Sequence, residues 1–165
     1  MKNKFKLYHG DCVEVLQWLD LSNAIIVSDP PFNVGYHYNE YRDKLDGDEY
    51  FTMLADIFSL APTVVIHYPE QLYKLAFEMG DFPEKIVSWC YNANTPRQHR
   101  DIAFFRVVPD FRKVVQPYKN PNDKRIKKLI EGGKTGGRLY DWWNVPQVKT
   151  FRIKRRNTRA KCRSK

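Results

Sequence analysis

The chain has 165 residues, of which 42% are hydrophobic and 15% aromatic, enough for one folded domain with its own core and too apolar for a disordered segment. No run approaches the roughly 20 apolar residues of a membrane span, and the basic start Met1–Lys6 leads into no apolar stretch of the signal-peptide kind. Cys12, Cys90 and Cys162 lie far apart without a CxxC pair, which fits a reducing cytoplasm and argues against a structural zinc site.

The net charge of +9 is unevenly placed. Nine of the 28 Lys and Arg residues fall between Lys149 and Lys165 with no acid among them, leaving 19 basic against 19 acidic residues in 1–148. A basic chain suggests nucleic acid as a partner, but here the basicity belongs to the tail and the body is neutral.

In chain order, Lys4–Tyr8 reads as a short strand turning at His9-Gly10-Asp11, and Val13–Leu19 has apolar residues at helical spacing. Ala24–Ser28 is a continuous, largely β-branched run, as expected of a strand covered on both faces. Residues 33–47 are polar and rich in tyrosine, hence a loop, and Asp48 is expected to cap a helix carrying Tyr50, Phe51, Leu54, Ile57 and Phe58. Thr63–His67 is a second apolar strand, Glu70–Met79 a helix ended by Gly80, and Lys85–Tyr91 and Ile102–Val108 are further strands. This order predicts an α/β layer fold with a mostly parallel sheet. From Pro109 to Gly137 the texture changes to Pro, Asn, Lys and Gly around one basic helix, Asn122–Glu131, and Tyr140–Pro146 supplies an aromatic anchor.

The strand Ala24–Ser28 runs directly into Asp29-Pro30-Pro31-Phe32. An exocyclic amine on an aromatic ring is a poor nucleophile because its lone pair is delocalised. A site that accepts hydrogen bonds from its N–H groups favours the pyramidal, charge-bearing transition state. Asp29 can accept one N–H and the Pro30 carbonyl the other, while Pro30 and Pro31 restrict the backbone before substrate arrives. Phe32 offers a stacking face of the kind needed by enzymes that flip a base from its duplex. The bland alternative is a proline turn that merely ends a strand; the position at a strand end, where α/β ligand sites lie, favours the functional reading.

The order GDCVEVL, AIIVSDPPFNVGY and YDWWNVPQV across residues 6–148 resembles the amino-methylating DNA methyltransferases, the N6-adenine/N4-cytosine class, in the arrangement where the catalytic motif precedes the cofactor motif. The resemblance implies a Rossmann-like S-adenosylmethionine-dependent methyltransferase fold, a cytoplasmic enzyme of prokaryotic or phage origin, and double-stranded DNA as partner. It gives Asp29, Pro30, Pro31 and Phe32 the grip on the target amine. It gives Asp11, with Cys12 beside it and Asp29 across the site, a part in holding S-adenosylmethionine. The Asp-Pro-Pro form leans towards adenine N6 and leaves cytosine N4 open.

The family's later His-Pro pair and its Asp-Pro-Phe-x-Gly-Ser-Gly type turn have no counterpart here, since residues 149–165 read KTFRIKRRNTRAKCRSK. Gly132-Gly133 and Gly136-Gly137 follow no apolar strand and do not substitute for that turn. The resemblance therefore predicts a partial catalytic domain over 1–148, with 109–137 as a target-recognition insertion and 149–165 as a basic, unstructured tail. Either the tail is a genuine arm for DNA phosphates or the chain is truncated near Lys149. Truncation would leave the strand bearing Asp29 with a sticky apolar edge and weaken or abolish activity. The remaining alternatives are a DNA-binding remnant without chemistry and one half of a split enzyme, completed by a chain carrying the glycine motif.

Tyr36, His37, Tyr38, Tyr41 and Arg42 form either a DNA-touching loop or a solvated one. Lys113, Lys119, Lys124, Arg125, Lys127 and Lys128 are either phosphate contacts or a wet helix face. Asn94–Arg97 follows a strand and is a candidate lining of the site, whereas Trp142 and Trp143 read as packing residues. His9, His37, His67 and His99 have no metal-ligand spacing, and no catalytic role is assigned to them.

Overall fold

A computed structural model describes residues 5–38, 41–93 and 95–146. Asn94, the side chain of Lys113 and the basic tail 149–165 lie outside the described residues.

Helix α1, Cys12–Gln17, begins where the Asp11 carboxylate accepts the Val13 N–H at 2.8 Å. Strand β1 is Ile26–Ser28. Helix α2, Gly47–Ser59, buries Tyr50, Phe51, Leu54, Ala55, Ile57 and Phe58 along one stripe. Its cap is Asp46, which accepts the Asp48 N–H at 3.0 Å; the expected cap, Asp48, instead sits in the first turn with Glu49, where a negative charge suits the helix dipole. Arg106 closes the other end by donating to the Phe58 and Ala61 carbonyls.

Strand β2, Thr63–His67, coincides with the sequence reading. Helix α3, Pro69–Met79, starts with proline at a position that needs no N–H and stops at Gly80, whose φ of 62° permits the left-handed cap. Strands β3, Lys85–Cys90, and β4, His99–Phe105, form a hairpin. A 3-10 turn at Phe111–Lys113, β5 (Val115–Gln116), α4 (Lys124–Glu131) and β6 (Gly137–Arg138) follow, with β5 and β6 paired as a separate two-stranded ribbon. Strand β7, Trp142–Asn144, then joins the main sheet.

The main sheet has the order β1-β2-β4-β3-β7. The chain is thus mixed α/β, and the expected mostly parallel sheet is only partly so: β1–β2 and β3–β7 are parallel, while β2–β4 and β3–β4 are antiparallel. The cause is connection length. The short link from β3 to β4 is too brief for a crossover, so β4 returns antiparallel and wedges between β3 and β2.

Two further expectations fail for want of neighbours. Residues 5–8 form no strand, because no described strand takes up their backbone; Phe5 and Leu7 are exposed. Strand β1 was expected to be covered on both faces, yet among the described residues it pairs only with β2 and leaves Val27 73% exposed.

The core lies between α2, α3 and the sheet, where Tyr50, Phe58, Val65, Leu75, Ala103 and Phe105 are almost fully buried. Each such large apolar side chain contributes roughly 1.5–3 kcal/mol by leaving water. A smaller cluster around Val87, Ile102 and Phe104 takes in Phe111 and Trp143 on the other side, so Trp143 packs as the sequence suggested.

Candidate active site

Parallel pairing of β1 with β2 brings their carboxyl ends to one edge of the sheet, and the antiparallel β4 brings its amino end to the same edge. Asp29 follows β1, His67 closes β2 and Arg100 is the second residue of β4. Open α/β sheets bind ligands at this edge. A cleft of about 290 Å³ lies there, lined by Asp29, Pro30, Phe32, Tyr36, Tyr68 and Arg100 among others.

The proline turn is held by a directional chain of hydrogen bonds. The Tyr68 N–H donates to His67 Nδ1 at 2.8 Å, which leaves Nε2 as the protonated nitrogen. Nε2–H then donates to the Tyr50 hydroxyl at 2.8 Å, and that hydroxyl donates to the Pro31 carbonyl at 2.6 Å. Tyr50 and His67 are both buried. Burial, followed by the Arg100 charge, lowers the His67 pKa to about 4 against the opposing pull of Glu70, so the imidazole is neutral near pH 7. Burial likewise raises the Tyr50 hydroxyl above its ordinary range. The Pro31 carbonyl is therefore occupied, while among the described residues no protein donor reaches the Pro30 carbonyl.

Asp29 faces the cleft, and its side chain is 52% exposed. Its closest charged partner, Arg100, stands 3.9 Å away, at the outer limit of an ion pair, so the carboxylate is accompanied but not locked. Partial burial raises its pKa, and Arg100 opposes that rise. Phe32 is wedged among His67, Tyr68 and Arg100, with ring centroids 4.7 and 4.9 Å from the first two and the Arg100 guanidinium carbon 4.4 Å over its own centroid.

The loop after the motif is a built element. Asp43 is buried and accepts the backbone N–H groups of Asn33 at 2.8 Å, Val34 at 3.3 Å and Tyr36 at 2.8 Å. Asn33 exchanges two side-chain hydrogen bonds with the Leu45 backbone, at 2.7 and 3.0 Å, and adopts a φ of 55° that asparagine tolerates. This fixes Tyr36 and Tyr38 at the cleft wall with their rings 4.9 Å apart. Arg42 is exposed, and its backbone forms an isolated antiparallel β-bridge with His37.

The other candidate residues are not gathered at the cleft. Asp11 caps α1 and Cys12 is exposed; neither lines the cavity. Lys124, Arg125 and Lys128 are exposed on α4, also away from its lining. Thr95, Pro96 and Arg97 line a second trough of about 420 Å³ that shares Tyr68 and Arg100 with the first. Among the described residues no group of three His, Cys, Asp or Glu side chains could hold a metal ion.

Sequence reasoning missed Arg100, His67, Tyr50, Tyr68 and Asp43. A histidine closing an otherwise apolar strand was the one visible signal, since a buried imidazole needs partners. Arg100 gave no signal, because its position rests on the β3–β4 hairpin register, which pairs it with Trp89. No family model and no curated protein sequence matches the chain.

Proposed function

We propose that the cleft binds a nucleobase carrying an exocyclic amine and that the chain is the amine-gripping part of a DNA amino-methyltransferase, with adenine N6 the favoured target and cytosine N4 the alternative. The observation that carries this reading is the pairing of a cleft-facing carboxylate, Asp29, with an adjacent proline carbonyl that no donor reaches among the described residues. In this reading Asp29 and the Pro30 carbonyl each accept one N–H of the amine. The nitrogen gains positive charge as it attacks, and Asp29 stabilises that charge electrostatically. The Tyr50–His67 chain keeps the turn from relaxing, which reduces reorganisation during reaction.

S-Adenosylmethionine, the cofactor that the resemblance implies, supplies an electrophilic methyl group when bound. The described residues do not build its cradle. Asp11 already serves as a helix cap, and the glycines at 132, 133, 136 and 137 belong to the α4 terminus and the β5–β6 ribbon. A strand pairing with the edge of β1 that no described strand occupies, and carrying a glycine turn, is the piece this reading requires, and the 73% exposure of Val27 in β1 supports it. On this view double-stranded DNA meets the exposed loop of Tyr36, Tyr38 and Arg42, while Lys124, Arg125 and Lys128 offer phosphate contacts.

Equilibrium binding tests the amine grip without turnover. Deoxyadenosine is expected to bind at least about tenfold more tightly than deoxyinosine, which carries oxygen in place of the amine, and Asp29→Ala is expected to erase the preference. Equal affinity for both nucleosides in the parent chain would refute the reading. Calorimetric titration with S-adenosylmethionine is expected to show no saturable binding at micromolar concentration, and tight binding would remove the need for a completing strand.

A further inference from the structure

Arg100 holds three relationships that together do not suit a structural ion pair. Its guanidinium covers the Phe32 ring at 4.4 Å, the face on which a base would lie. Its contact with Asp29 is long, 3.9 Å, although its side chain is only 19% exposed. Its Nε is buried and has no hydrogen-bond partner among the described residues. A mostly buried guanidinium whose carboxylate partner stands 3.9 Å off has part of its desolvation uncompensated, and its fork of donors suits a phosphate.

The surroundings show where such an anion would sit. Arg100 lines both the Asp29 cleft and the neighbouring trough of Tyr91, Thr95, Pro96 and Arg97, with Tyr68 as the shared wall. Arg97 stacks over Tyr68 at 4.2 Å and is paired with Glu70 at 2.7 Å, so its charge is already answered. Arg100 is answered less closely, since among the described residues its carboxylate partner, Asp29, stands 3.9 Å away.

We propose that the trough beside the cleft is a phosphate subsite, and that Arg100 is a gate moving from the face of Phe32 to that phosphate when a nucleotide enters. This deepens the nucleobase reading above and rests on it. In the free protein Arg100 covers the stacking face and shields Asp29. A nucleotide phosphate in the trough draws the guanidinium away, which uncovers Phe32 and leaves the carboxylate free to receive an amine. A base without its phosphate has to displace Arg100 unaided. Arg100 is thus a positioning residue that makes access to the cleft depend on an attached backbone.

The test is a comparison of deoxyadenosine with deoxyadenosine 5′- and 3′-monophosphates on the full chain, followed by intrinsic fluorescence. Trp89 reports on the gate, because the Arg100 guanidinium lies 5.9 Å from its ring centroid. One of the monophosphates is expected to bind at least about tenfold more tightly than the nucleoside and to change the Trp89 emission. Arg100→Gln should abolish the phosphate advantage and raise nucleoside affinity, because the stacking face is no longer covered. Arg100→Lys should restore only part of the advantage, since an ammonium lacks the planar fork. Circular dichroism and melting of both variants confirm folding. A monophosphate advantage that survives in Arg100→Gln overturns the gate, as does a nucleoside affinity equal to that of both monophosphates. In the latter case an Asp29-dependent preference for amine over oxygen would still support the base-binding reading. Phosphate-dependent binding through Arg100 with no preference for the amine would retain the subsite and refute that reading instead.

Discussion

The Tyr50 hydroxyl donates to the Pro31 carbonyl at 2.6 Å, tying the first turn of α2 to a proline turn 19 residues earlier in the chain. The same oxygen receives the Nε2–H of His67, so one buried hydroxyl joins α2, the end of β2 and the turn after β1. Removing it strands two polar groups at once. Tyr50→Phe keeps the ring and its packing but leaves His67 Nε2–H and the Pro31 carbonyl without partners. The variant is expected to lose about 1–3 kcal/mol of stability in denaturant unfolding, and an unchanged midpoint would show that the hydroxyl braces nothing.

The neutrality of His67 makes stability depend on pH. Its folded-state pKa is lowered to about 4 from 6.5, so between these values the unfolded chain binds more protons than the folded one. Stability therefore falls as pH drops through this window, with a loss approaching about 3 kcal/mol near pH 4. Urea midpoints measured from pH 7 down to 4.5 should decline steadily. His67→Gln, which does not titrate, should have a lower midpoint at pH 7 but a clearly shallower slope.

Asp43 organises the loop that forms the wall of the cleft. Its carboxylate accepts three backbone N–H groups in a buried setting, and asparagine can offer only one oxygen to them. Asp43→Asn is expected to destabilise the protein by roughly 1.5–3 kcal/mol. Amide exchange should quicken selectively at Asn33, Val34 and Tyr36, whereas uniform exchange across the chain would point to a general rather than a loop-specific role.

The Asp29 carboxylate should titrate under two opposing influences, its burial and the Arg100 charge. Partial burial places the Asp29 midpoint above its ordinary value of 3.8, and the Arg100 cation restrains that rise. Carboxyl-carbon NMR should therefore show a raised midpoint in the parent and a higher one in Arg100→Gln. A midpoint that falls in the variant would contradict the geometry. In the proposed reaction the ionised carboxylate is the working form, so the acidic limb of binding should move in the same direction.

Local chemistry made much of the framework legible in the sequence. Thr63–His67, the helix from Pro69 to Met79 and its end at Gly80 were readable because apolar periodicity, an N-terminal proline and a left-handed glycine act over a few residues. The Asp29–Phe32 corner was readable for the same reason, since consecutive prolines restrict the backbone wherever they occur. The β1 edge was not: Ala24–Ser28 has the composition of a covered strand, but coverage depends on which strand lies beside it.

The amino-acid sequence by itself determined a stiff carboxylate turn at the end of a strand, and it did so through backbone restriction within four residues. Tertiary structure alone decided what surrounds that turn. The β3–β4 hairpin reverses β4 and carries Arg100 onto Phe32, and the packing of α2 on the sheet delivers Tyr50 to His67 and Pro31. Those partners lie 17 or more residues apart, and their meeting follows from strand register and helix packing, which no local pattern encodes.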